Sequence, residues 1–138
     1  VAQEFDNEIY VPTMHNKREF EDQVPRLNHL PHCLWTEWME LVSNFKYAIH
    51  LMPTIAAGTF SLNCSYFGIP CIGNEKVDTQ RICYPDLSVD VEDVEKARNI
   101  ATKLKSDKDF YKECSDKAKL NYKKYFNKNK FLERINLT

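Results

Sequence analysis

HLMPTIAAGTFSLNCSYFGIPCIGNEKVDTQ, residues 50–80, is the stretch from which the fold is read. All three glycines of the protein, Gly58, Gly68 and Gly73, fall inside it. Glycine serves where backbone takes a positive φ or approaches another group closely, so this crowding marks a constrained site. An apolar run over residues 47–52 leads in and suits a strand buried on both faces. Pro53 has no N–H to give a ladder and should end that strand. A helix is expected to open at Gly58-Thr59 and to close on Gly68, after which residues 69–73 read as the next strand. Strand, loop, helix and strand make a βαβ unit. Its helix N-terminus faces the carboxyl ends of the strands, where free N–H groups and the helix dipole favour an anion.

Two faces are expected on that helix. Phe60, Cys64 and Phe67 recur at i, i+4, i+7 and can pack on the sheet with Leu62. Thr59, Asn63 and Tyr66 recur at the same spacing on a polar face. A hydroxyl at the helix start and an amide one turn later suit a phosphate followed by a sugar hydroxyl. Ordinary solvated positions fit the same pattern.

The segment GTFSLNCSYFGIPCIG, followed by DTQ, resembles the donor-binding part of the C-terminal domain of GT-B glycosyltransferases. Gly58 with Thr59 matches the diphosphate-binding turn, and Gly68-Ile69-Pro70 matches the Gly-x-Pro that starts the next strand. Asn63 stands where that family usually carries a ribose-binding glutamate, and Ile55 stands at the place of an earlier acidic partner. Asp78, Thr79 and Gln80 resemble an Asp-Gln element that touches the donor sugar. The resemblance extends over residues 30–126, with motif-grade specificity only in the centre. It implies a donor-binding set of Gly58, Thr59, Phe60, Asn63, Asp78, Thr79 and Gln80, and it assigns no catalytic residue. It also implies that residues 1–138 form one Rossmann-like donor-binding domain, the C-terminal half of a GT-B fold. The acceptor domain that would supply a catalytic base lies outside this sequence.

Before the central stretch, residues 9–11 suggest a short strand ahead of Pro12. Lys17 and Arg18 follow its carboxyl end, where a basic pair either meets phosphate or begins a solvated helix. Residues 33–35 read as a second strand, with Thr36 as N-cap of a helix whose Trp38, Leu41, Val42 and Phe45 face the sheet. After Gly73 a loop with one helical turn near residues 77–83 leads to a last strand over 87–89. Asp90 is expected to cap the first of the C-terminal helices, which fill residues 91–138. Its apolar stripe is Val94, Ala97, Ala101 and Leu104. Ser106 or Asp107 starts the next, with Phe110, Cys114, Tyr122, Tyr125 and Phe126 inward. The whole reads as an α/β domain with one parallel sheet of five strands and helices on both faces.

Length and composition agree with one domain: 138 residues, 43% apolar and net charge −1, a balance that predicts no nucleic-acid partner. Starting at Val1 rather than methionine, the chain reads as a fragment. Five cysteines without a C-x-x-C pair and four scattered histidines point to a reduced cytoplasmic protein without disulfide or metal. His50, inside the strand pattern, reads as a hydrogen-bonded core histidine. Charge is uneven: residues 103–138 carry +6 and residues 1–102 carry −7. A basic helical end of this kind is either a solvated face or a peripheral membrane contact.

The expected function is transfer of a sugar from a nucleotide-sugar donor to an acceptor. Helix dipole, backbone N–H groups and hydroxyls would take the place of the metal used by other transferases, so neither metal nor cofactor is expected. A nucleotide-sugar epimerase of the same architecture, or a non-catalytic interaction module on this fold, are the alternatives. The loss of both glutamates favours the latter.

Overall fold

The computed structural model describes residues 1–12, 19–55 and 58–136; Lys17 and Arg18 lie outside them. Strands β1 (Ile9–Pro12) and β2 (Leu27–Leu30) pair with each other in parallel, Ile9 opposite Leu27 and Pro12 opposite Leu30. Helix α1 (Trp35–Ser43) follows, then β3 (Ala48–His50), α2 (Thr59–Phe67), β4 (Cys71–Asn74), the short α3 (Asp78–Cys83) and β5 (Ser88–Val89). Three helices complete the chain: α4 (Val94–Ser106), α5 (Lys108–Tyr125) and α6 (Lys128–Asn136). Strands β3, β4 and β5 form a second parallel sheet in that order.

The α/β class and the parallel pairing agree with the sequence, whereas the single five-stranded sheet does not. The described strands divide into a pair and a triplet. Within the triplet β4 is central and all four of its residues are buried. Alternate side chains of a strand point to opposite faces, so both faces of β4 are covered.

Residues 33–35 are not a strand. Leu34 is extended and serves as N-cap of α1, and the Glu37 carboxylate accepts the Leu34 N–H at 2.7 Å. That bond meets a donor at the helix start, so the cap does not fall on Thr36. The strand lies earlier, in Leu27–Leu30, whose polar residues are held individually. Asn28 Nδ2 donates to Glu8 at 2.7 Å and to Arg26 O at 3.1 Å, and His29 meets Glu21 at 2.9 Å. Asp93, not Asp90, caps α4 by accepting the Lys96 N–H at 3.0 Å, while Asp90 supports the preceding turn through Glu92 N–H.

Ala97, Ala101 and Leu104 of α4 are buried as expected, but Val94 is exposed because it occupies the first turn beyond the core. Asp107 caps α5 by accepting from Asp109 and Phe110 N–H groups. On α5 it is Cys114 and Ala118 that are fully covered, with Phe110 and Tyr111 packed against the core and Tyr125 left exposed. The core gathers Val42, Cys64, Ile72, Tyr84, Leu87, Val89 and Leu104 around β4. Tyr84 places its hydroxyl on Ile69 O at 2.6 Å, a buried bond that ties the exit of α3 to the entry of β4.

Candidate functional site

The register of β3 on β4 sets Ala48 against Cys71 and His50 against Gly73, so both strands deliver their carboxyl ends to one edge. Helix α2 begins at that edge on Gly58. Gly58 is left-handed, with φ +73° and ψ 25°, and it is buried. A Cβ there would overlap Thr79 Oγ1 and lie 2.8 Å from Val77 Cγ1, so conformation and contact both require glycine. The Thr79 hydroxyl donates to Gly58 O at 3.0 Å and fastens the helix start to α3.

Leu62 N–H is the first in α2 to reach back, to Gly58 O at 3.2 Å. The N–H groups of Thr59, Phe60 and Ser61 therefore have no acceptor among the described residues, and no side chain caps them. No acidic residue stands in the first turn. Such a helix end carries roughly half a unit of positive charge and invites an anion.

One turn inward, the polar face expected of α2 is only partly observed. Thr59 and Tyr66 are exposed, but Asn63 is 7% exposed. Helices α1, α3 and α5 all pack on α2, which leaves it a narrow solvent strip and buries Ser61 and Ser65 as well. Ser61 and Ser65 find acceptors in Gln80 Oε1 at 2.9 Å and Leu62 O at 2.8 Å. The Asn63 amide has no hydrogen-bond partner among the described residues. No buried side-chain N or O atom among the described residues lacks a hydrogen-bond partner, so the unpaired Asn63 amide keeps its polar atoms in contact with solvent, where a ligand hydroxyl can reach them.

Asp78, Thr79 and Gln80 enter from α3. Asp78 is exposed and accepts from Arg81 at 2.6 Å. Gln80 is 1% exposed and spends both ends of its amide internally, Nε2 donating to Cys71 O at 2.8 Å and Oε1 accepting from Ser61. Gly58, Thr59, Phe60 and Asn63 thus share one helix, and Thr79 and Gln80 brace it from α3. Of the loop before α2, Pro53 to Ile55 are exposed, Ile55 by 71%.

Two residues of this edge are absent from the expected set. His50 ends β3 half-buried, with its ring 5.5 Å from Phe60, which itself meets Trp38 at 6.2 Å. Its side chain makes no hydrogen bond among the described residues, contrary to the core role expected of it, because the strand ends at the open edge. Burial holds its pKa below the ordinary histidine value, so the ring is neutral at pH 7. Asn74 ends β4 and organises the edge: Nδ2 donates to Met52 O at 3.0 Å, and Oδ1 accepts from Lys76 N–H at 2.9 Å. An amide directly after a glycine at a strand end is the sequence signal for it.

Cys64, Cys71, Cys83 and Cys114 are buried as free thiols. A hydrogen bond with Cys64 and burial hold the Cys71 thiol well above its ordinary pKa, and burial lifts Cys114 to about 11. They behave as small apolar residues. Among the described residues, no cluster of three histidine, cysteine, aspartate or glutamate side chains can hold a metal, and no helix is long and apolar enough to cross a membrane.

Compared with protein-family models, curated proteins and solved structures, the chain finds no match.

Proposed function

We propose that this chain is the donor-binding domain of a GT-B-type glycosyltransferase, taking a nucleotide-sugar by its diphosphate and ribose. The observation that carries the reading is the uncapped, acid-free start of α2, with the Asn63 amide reaching solvent one turn further along. A rise of 1.5 Å per residue puts Asn63 about 6 Å along the axis from Thr59, the span from a diphosphate to its ribose. The diphosphate rests on the N–H groups of Thr59, Phe60 and Ser61 and on the Thr59 hydroxyl. These groups are pre-oriented, so they stabilise negative charge on the leaving diphosphate without reorganising. Thr79 and Gln80 hold Gly58 and Ser61 in place, and Asp78 and the loop from Pro53 face the sugar. The catalytic base comes from a partner domain.

A non-catalytic module on the same fold is favoured by one observation. Ile55 presents an apolar, exposed side chain where the resembled family places an acid.

Calorimetry of UDP, GDP, ADP and dTDP against the parent, Thr59→Val and Asn63→Ala tests the donor-site reading. Each variant removes about one hydrogen bond and should weaken the preferred nucleotide about fivefold while leaving the fold intact. Equal affinities in all three proteins would place the nucleotide elsewhere.

A further inference from the structure

We propose that the end of α5 from Lys123 onward, together with α6, is a docking surface for an anionic lipid bilayer. The proposal is independent of the nucleotide site, since no residue of that site belongs to it.

Charge is the first observation. Residues 117–136 contain seven Lys or Arg and one acid, Glu133. Lys117 is engaged by Asp86, and Lys130 by Glu133. Lys119, Lys123, Lys124, Lys128 and Arg134 have no carboxylate partner among the described residues. This excess of cations is complementary to a bilayer rich in anionic headgroups.

The second observation is what the cations surround. Lys128, Phe131, Leu132 and Ile135 fall at i, i+3, i+4, i+7 and form one stripe along α6. The three apolar members are 61%, 43% and 50% exposed. Asn127 Oδ1 caps the helix through Lys130 N–H at 2.9 Å, and Arg134 reaches back to Tyr125 O at 3.1 Å. These bonds fix the start of α6 and tie its last turn to the end of α5, the helix that carries Lys123 and Lys124. Leu120 adds a further exposed apolar side chain on α5.

A polynucleotide would use the cations and leave Phe131 and Leu132 in water. A bilayer uses both, with the apolar stripe sunk to the headgroup boundary and the cations among the phosphates. Lys128 extends its charge outward past an apolar stem.

The test is co-sedimentation of the 138-residue chain with vesicles of phosphatidylcholine containing phosphatidylserine, and with phosphatidylcholine alone. Binding is expected only to the anionic vesicles and should fall steeply as salt rises. Lys123→Gln with Lys124→Gln should weaken it roughly thirtyfold. Phe131→Ser with Leu132→Ser should weaken it about tenfold or more, with an unchanged circular-dichroism spectrum. Equal recovery with both vesicle types, no recovery with either, or indifference to either pair of substitutions overturns the proposal. Retention of a polynucleotide that depends on the lysines but not on Phe131 and Leu132, without vesicle binding, would assign the surface to nucleic acid instead.

Discussion

Gly73 and Gln80 occupy one space. A Cβ on Gly73 would lie 2.8 Å from Gln80 Cγ and would overlap Cδ and Oε1 of the same side chain. The bare backbone of β4 at Gly73 lets a fully buried amide lie flat against the strand. There it bonds Cys71 O and accepts from Ser61, joining β4, α3 and α2 in one connection.

Substitution at either partner should therefore destabilise the domain strongly. Gly73→Ala forces the Gln80 amide off both bonds and should cost about 3 kcal/mol. Gln80→Leu keeps the volume but strands Cys71 O and the Ser61 hydroxyl, for about 2 kcal/mol. Urea unfolding of the two variants and the double variant checks this, and the double should cost less than the sum of the singles. Strict additivity would show that the two residues act separately.

Gly68 closes α2 with φ +70°, and its N–H reaches Cys64 and Ser65 carbonyls. Alanine there strains the backbone and meets Ser115 Oγ at 2.7 Å. Gly68→Ala should cost about 1 kcal/mol or more. A thermal melt matching that of the parent would contradict the assignment.

His50 gives the domain an acid-sensitive component. Its folded pKa is depressed by burial, while the unfolded chain takes up a proton near the ordinary value of about 6.5. The contribution is complete above that value and is lost as pH falls from it toward the folded pKa. The imidazole should titrate below 6.5 by NMR, and the fall in melting temperature on acidification should be smaller in His50→Gln than in the parent. A ring that titrates at or above 6.5 in the folded chain would exclude this component.

At Asn63 stability and affinity should move in opposite directions. A carboxylate at this nearly covered position is poorly solvated until a hydroxyl meets it. Asn63→Glu should lower the melting temperature of the free domain, and a nucleoside diphosphate should then restore more of it than in the parent, through a charge-assisted bond. Differential scanning fluorimetry with and without nucleotide reads both effects. The absence of any nucleotide-dependent shift in either protein would count against the donor site itself.

Much of this site was legible because its punctuation is local. Gly58 and Gly68 bound a helix of nine residues; Gly68 is left-handed as its place as C-cap implied, and Gly58 is left-handed as well. The start of α5 on Asp107 and the turn of α3 were legible for the same reason. Errors arose where a local pattern has two solutions. Residues 33–35 are apolar enough for a strand, yet Glu37 reaches Leu34 and converts them into a helix entry. The strand Leu27–Leu30 is hidden in the sequence because its polar Asn28 and His29 find partners in Glu8 and Glu21, outside the strand itself. The burial of Asn63 was illegible, since it depends on three other helices closing around α2. Periodicity records which residues share a face, and it does not record how many neighbours that face receives.

The first strands meet the remainder of the fold through few anchors. Phe5 is stacked on Tyr47 with ring centres 4.0 Å apart, Tyr10 lies 5.4 Å from Phe45, Glu4 meets Arg98 at 2.6 Å, and Asp6 meets Lys105. Of residues 1–30, among those described, only Phe5 and Leu30 are buried. The two ion pairs join positions 94 and 99 residues apart, the widest separations among the ion pairs of the described residues, and they can form only after α4 is in place. Losing the few contacts of Phe5, Tyr10 and Leu30 would free the β1–β2 pair while β3, β4 and β5 stay folded. Amide protons should therefore exchange in two tiers, those of Ile9–Pro12 and Leu27–Leu30 by a local opening and those of Cys71–Asn74 only when the whole domain unfolds. The early strands behave as a clasp fitted last and released first.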